Sequence, residues 1–235
     1  MEPHDEPEFI QKIADIREAL IPWGREHHRD YPWRHTHDPY RILIAEVFLH
    51  RTRADQVSPV YIRFVQEYPD LVALCQADPV LVEELLAPLG LKWRTNLLLK
   101  MVTEICERHQ GVIPMKREEL LLLPGVGDYI ASALLTFSGT APEPIMDTNT
   151  VRVIGRVFGL ILNDSARRKK QFREIMQALI RTGNAIEISF SMIDLAALIC
   201  LPRMPCCERC PLNSLCCFAH VNRNDIGKPQ ENEAR

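Results

Sequence analysis

The sequence predicts an all-α protein, and three observations carry that prediction. Apolar residues recur at helical spacing along nearly the whole chain, as in Phe9, Ile10, Ile13, Ile16 and Leu20, and again in Ile175, Leu179 and Ile180. Alternating apolar and polar runs, the mark of a half-buried strand, are scarce. Proline and glycine then cut the pattern into short pieces at Tyr31-Pro32-Trp33, Tyr68-Pro69, Asp78-Pro79, Leu89-Gly90, Pro114, Pro124-Gly125 and Pro142-Glu143-Pro144. The expected result is about ten helices of one to four turns.

With 235 residues and 46% hydrophobic content, the chain can bury a core as one large domain or two small lobes, which excludes the disordered and fibrous classes. No apolar run approaches the length of a membrane span, and the chain begins Met1-Glu2-Pro3-His4-Asp5 rather than with a basic stretch followed by an apolar one. An intracellular protein is expected. In a reducing compartment the eight cysteines read as metal ligands where they cluster rather than as a disulfide framework. Cys75 and Cys106, set in helical patterns, read as ordinary buried residues. The net charge of -3 is misleading as an average. Glu2, Asp5, Glu6 and Glu8 supply four negative charges, so the chain beyond them stands at +1. There Arg51, Arg53, Lys92, Arg94, Arg152, Arg156 and Arg167-Arg168-Lys169-Lys170 offer either a basic face or solvated helix surfaces.

Four stretches carry chemistry. In Tyr40-Arg41-Ile42-Leu43-Ile44-Ala45-Glu46-Val47-Phe48-Leu49 a single carboxyl, Glu46, sits in a helix that is apolar on nearly every side. Buried, it would favour its protonated form and suit a general acid; on a narrow exposed stripe it would be inert. The stretch Leu123-Pro124-Gly125-Val126-Gly127 lies between helical segments Lys116 to Leu122 and Asp128 to Phe137. Its glycines permit a tight turn that brings bare amides to a helix start, which is a phosphate site, although a plain interhelical turn has the same composition. Twenty residues on, Ile145-Met146-Asp147-Thr148-Asn149-Thr150 delivers an aspartate to another helix start. Asp147 can cap that helix and also serve as an ionised carboxylate stabilised by it. Last, Cys200, Cys207, Cys210 and Cys216 read C-x6-C-x2-C-x5-C after the apolar segment Ile193 to Ile199, with Cys206 and Cys217 as neighbours that compete in register. Thiolates in this arrangement take zinc or an iron-sulfur centre.

Together the hairpin, the aspartate and the cysteine spacing resemble the helix-hairpin-helix DNA glycosylase superfamily, in the branch of endonuclease III and the adenine and archaeal thymine mismatch glycosylases. The likeness runs from about Arg29 to Cys216. It implies two helical lobes, one over residues 31–141 and one over 1–30 plus 142–220, with 221–235 as a polar tail and double-stranded DNA in a groove between the lobes. It implies a four-iron four-sulfur cluster on Cys200, Cys207, Cys210 and Cys216, with DNA contacts from Arg203 and Arg209 in the same loop. A monomer is expected, nucleoid-associated in the cytoplasm of a prokaryote. The resemblance makes Asp147 the residue that stabilises the sugar cation and directs water, with the target base flipped out of the duplex. Bifunctional relatives carry a lysine where this chain has Tyr129, and a phenol cannot form their imine intermediate. The implied reaction is monofunctional base release, of thymine or uracil opposite guanine, with Glu46 positioning the base. The hairpin residues Leu123, Gly125, Val126 and Gly127 would hold the DNA backbone. His50 and Arg51 would face the guanine left behind, with Lys92 and Trp93 as a wedge from the opposite side. Removal of adenine is the alternative, weakened by His50-Arg51 in place of two glutamines and by the lack of an appended inspection domain. A non-catalytic damage or redox sensor is the alternative of another class.

Overall fold

The computed structural model describes residues 7–90, 92–163 and 165–226, with side chains described to residue 221. The chain forms two compact units, one of Asp30–Glu143 and one of Met1–Arg29 with Pro144–Arg235. Among the described residues there are twelve α-helices, several short 3-10 turns and no strand.

The first helix, α1 (Pro7–His27), belongs to the discontinuous unit. Its Ile13, Ile16, Leu20 and Trp23 point into the core at helical spacing. Gly24 is required there, because a β-carbon at that position would lie 1.9 Å from the Ser191 hydroxyl. The Asp30–Glu143 unit then runs α2 (Pro39–Leu49), α3 (Ala54–Glu67), α4 (Leu71–Cys75), α5 (Pro79–Leu86), α6 (Lys92–Arg108), α7 (Arg117–Leu120) and α8 (Asp128–Phe137). Asp38, Asp70 and Asp78 start α2, α4 and α5 by accepting backbone N–H bonds from Tyr40, Ala73 and Val80, each cap contributing about 1 kcal/mol. Packing of α2 against both α3 and α8 explains why it is apolar almost all round. Phe48 and Phe64 meet edge to face at 5.0 Å in that core.

The chain returns to the discontinuous unit for α9 (Thr148–Phe158), α10 (Lys170–Ile180), α11 (Ala185–Leu198) and α12 (Cys217–Ile226). One apolar core joins α1 and α9 to α12, with Leu20, Ile154, Phe172, Met176 and Met192 all buried. Fully buried Asp194 accepts from the backbone N–H of Arg29 (3.1 Å) and from its Nε (2.6 Å), fixing the end of the segment that follows α1.

Several expectations change. With 21 and 17 residues, α1 and α6 exceed four turns. The helix before the hairpin shrinks to Arg117–Leu120, since Leu121 to Leu123 already turn. The segment read as a polar tail begins as helix, because α12 reaches Ile226; residues 227–235, like Glu2, Asp5 and Glu6, lie outside the described residues. Cys75 and Cys106 are not ordinary buried residues. They form a disulfide between α4 and α6, and Cys75 is exposed. No described helix is long and apolar enough to cross a membrane.

Candidate active site and cysteine cavity

The hairpin is built by Arg117 as much as by glycine. Its guanidinium donates to Ser132 Oγ (3.0 Å), Asp128 Oδ1 (2.5 Å) and Glu143 Oε2 (3.3 Å), tying α7 to α8. Gly125 holds φ +81, a left-handed value that favours glycine. Gly127 is extended and forms the N-cap of α8; a β-carbon there would meet nothing within 4 Å, so this surface is open. Leu123 and Val126 are buried, which leaves backbone, not side chains, as what these two residues can present to a ligand. Tyr129, one residue into α8, is half-buried. Glu46 is 5% exposed, which removes the reading of it as a member of an exposed stripe.

At the end of α2 the chain turns through His50 and Arg51, both exposed. Trp93 at the start of α6 stands edge-on to His50, with ring centroids 5.6 Å apart. Burial lowers the His50 pKa, with Arg51 and Arg94 adding to the effect, so its imidazole is neutral at neutral pH. Arg94, by contrast, is buried and contributes nothing to a basic face. Arg51, Arg53 and Lys92 do remain exposed.

In the other unit, Asp147 opens α9 with a reciprocal capping box. Its Oδ1 accepts from the N–H groups of Asn149 (3.0 Å) and Thr150 (2.7 Å) and from the Thr150 hydroxyl (2.5 Å). Its Oδ2 accepts from Asn149 Nδ2 at 2.8 Å. The Asn149 side-chain Oδ1 in turn accepts from Arg152 Nη1 (3.0 Å), and Arg152 donates through Nε to the Cys200 backbone carbonyl (2.8 Å) and through Nη2 to that of Ala196 (2.9 Å). Hydrogen bonds thus run unbroken from the carboxylate to the backbone of the first cysteine. Asn149 and Arg152 are the members that sequence reasoning missed as a pair; their i, i+3 spacing after an N-cap aspartate was the available signal.

The four cysteines line one cavity with Val153, Arg156, Leu195 and Leu212, whereas Cys206 and Cys217 do not line it. Burial pushes the Cys210 thiol up to about 11, and its cysteine neighbours 200, 216 and 207 push in the same direction; Cys216 is raised by burial first and by Cys200 and Cys207 as well. Four thiols therefore face one another in an apolar pocket. Yet no three His, Cys, Asp or Glu side chains among the described residues group closely enough to hold a single ion. Arg152 and Arg156 do not form part of a basic face. Arg156 donates to the carbonyls of Leu201 (2.7 Å) and Pro202 (2.8 Å) and sits 3.3 Å from Cys200 Sγ, because the non-helical cysteine loop needs donors for its carbonyls. Arg203 and Arg209 remain exposed on that loop.

No protein-family model matches the chain. Individual relatives do. It is 39% identical over 220 residues to a thymine-DNA glycosylase of Aeropyrum pernix, covering 89% of this chain and 97% of the relative. The chain belongs to the helix-hairpin-helix DNA glycosylases. A thymine/uracil-DNA glycosylase of Pyrobaculum aerophilum is 37% identical over 211 residues, covering 86% of this chain and 91% of the other. An adenine DNA glycosylase of Mycobacterium tuberculosis is 32% identical, covering 86% and 67%. Among solved structures, a thermostable thymine-DNA glycosylase superposes with a TM-score of 0.84 at 30% identity over 90% of this chain and 98% of its own. Endonuclease III in a trapped DNA complex superposes at 0.77 with 22% identity over 91% of this chain and 98% of its own, a likeness of fold. Within this glycosylase the expected site residues are divided: Glu46, His50, Arg51, Lys92, Trp93, the hairpin and Tyr129 lie in the Asp30–Glu143 unit, and Asp147 and the four cysteines in the other.

Proposed function

We propose that this glycosylase hydrolyses the N-glycosidic bond of thymine or uracil mispaired with guanine in double-stranded DNA, leaving the backbone intact. The observation that carries the proposal is the combination of Asp147, whose carboxyl oxygens accept four N–H and O–H bonds that fix its orientation, with a phenol at Tyr129 where a lyase needs an amine. As the bond between the sugar C1′ and the base breaks, the electron pair leaves with the base and positive charge grows on the sugar. Asp147 stabilises that charge and orients a water, whose oxygen bonds to C1′ while its proton passes to the carboxylate. Tyr129 walls the base pocket and Glu46 positions the base. The backbone of the Leu123, Gly125, Val126 and Gly127 turn, with the dipole of α8, holds a DNA phosphate without reading sequence. His50 and Arg51 face the widowed guanine, and Lys92 and Trp93 fill the gap beside them. Relatives named for thymine and uracil support the choice of base.

A four-iron four-sulfur cluster on Cys200, Cys207, Cys210 and Cys216 fits the cavity those thiols line. When bound it supplies structure for the loop carrying Arg203 and Arg209, not a step of the hydrolysis. The protein acts as an intracellular monomer.

Adenine removal is the second reading, favoured by the burial of Glu46 and by the adenine-specific relatives. Purified protein offered uracil, thymine and adenine in defined mismatches decides between them. Thymine and uracil release opposite guanine, with strand breaks only after alkali, is expected; preferential adenine release would refute the first reading. Tyr129→Lys should gain borohydride-trappable lyase activity. A folded variant without it would contradict the role assigned to this position.

A further inference from the structure

The turn after α2 adopts a conformation that its own sequence does not favour. Helices often end on glycine in the left-handed region, but here Arg51 takes φ +62 and carries a β-carbon into a region that residues other than glycine rarely occupy. Helix geometry also leaves the last carbonyls of α2 without intrahelical donors. Arg94, from the first turn of α6, answers both needs. Its Nη1 donates to the carbonyls of Phe48 and His50, each at 2.7 Å, and to Thr52 Oγ1 at 3.0 Å. Its Nη2 donates to the Leu89 carbonyl at 3.2 Å, in the 3-10 turn leading into α6.

A guanidinium 5% exposed is an expensive way to cap a helix, and burial lowers its affinity for its proton. A glycine at position 51 would end α2 without it. What Arg94 adds is definition: its donors reach both sides of Arg51, at His50 and Thr52, so the two exposed side chains are held on a fixed backbone. The same helix start supplies Trp93, which stands edge-on to His50. Arg94 thus sets both the backbone beneath the His50 and Arg51 pair and, through its neighbour, one wall against the His50 ring.

We propose that Arg94 is the positioning residue for opposite-base recognition, locking the His50–Thr52 turn so that the pair discriminates guanine from other bases across from the excised one. This rests on the assignment of His50 and Arg51 to the widowed guanine. A rigid presentation matters because bidentate or edge-specific hydrogen bonds discriminate only when their donors and acceptors are held within small tolerances.

The test uses the full chain and duplexes carrying an abasic-site analogue opposite guanine or adenine, with the ratio of dissociation constants as the readout. Wild type should prefer guanine, and His50→Ala with Arg51→Ala should abolish the preference. Arg94→Met should lower the guanine preference at least fivefold while changing affinity for the adenine duplex less than twofold; Arg94→Lys, which can still reach one carbonyl, should recover part of it. Thr52→Val removes one half-buried acceptor of the turn at nearly constant size and should give a smaller loss, which keeps the proposal testable if Arg94→Met does not fold. Equal weakening on both duplexes in the Arg94 variants, or an unchanged ratio in folded Arg94→Met or in both Arg94→Lys and Thr52→Val, would overturn the positioning role. A wild-type protein with no guanine preference, or one whose preference survives loss of His50 and Arg51, would instead overturn the underlying assignment, and the proposal with it.

Discussion

Replacing Asp147 by Asn separates its two roles. As a cap the substitution is conservative, because Asn and Asp start helices about equally well. The new amide oxygen still accepts from the N–H groups of Asn149 and Thr150, now made by Oδ1. The loss falls on Oδ2, which takes Asn149 Nδ2 at 2.8 Å. An amide nitrogen there faces another amide nitrogen, and Asn149 cannot turn over without giving up the bond that its carbonyl accepts from Arg152. One hydrogen bond to a charged group is lost, about 1.5–3 kcal/mol. A domain of ordinary stability, about 5–15 kcal/mol, remains folded after that change. Chemistry should suffer more, since removing one preorganised partner of a developing charge costs on the order of 10²–10³ in rate. Urea unfolding followed by circular dichroism gives the first quantity, and single-turnover base release from a thymine–guanine duplex gives the second. A folded variant that releases base within tenfold of the wild-type rate would reduce Asp147 to a helix cap. Loss of stability far beyond about 3 kcal/mol would show that the bond inventory above omits a partner.

Other consequences follow from the same structure. The Cys75–Cys106 disulfide closes a loop of 31 residues, so in the chain-entropy picture Cys75→Ser with Cys106→Ser should cost about 4 kcal/mol; equal stability of oxidised and reduced wild type by urea titration would contradict it. His50 is protonated less readily folded than unfolded, so the unfolded chain takes up more protons as pH falls below its ordinary value of about 6.5. Its contribution to stability is therefore present above that pH and lost as pH falls through the lower folded value, a slope that His50→Gln should flatten. Iron and sulfide assays with a visible absorbance band should show the cluster, and Cys210→Ser should remove it while Cys206→Ser and Cys217→Ser retain it. A colourless, zinc-loaded, fully active protein would refute the cluster.

Local sequence by itself determined the helical class, the ends of α8 at Asp128 and Phe137, the capping role of Asp147 and the spacing of the four cysteines. These depend on neighbours in the chain: helical periodicity, a polar cap and a left-handed glycine are legible wherever they occur. Contacts between distant segments were not. The sequence left Glu46 open between core and stripe, and only the packing of α2 against α3 and α8 buries it. It grouped Arg94, Arg152 and Arg156 with the exposed basic residues, because an arginine that serves buried carbonyls has the same local context as one that meets solvent. Local sequence did not tell that Cys200, Cys207, Cys210 and Cys216 line one cavity while the adjacent Cys206 and Cys217 do not. The pairing of Cys75 with Cys106 across 31 residues had no local signal at all. Which side chains end up sharing a site is a property of how helices pack, and that is set by the whole core rather than by any one stretch.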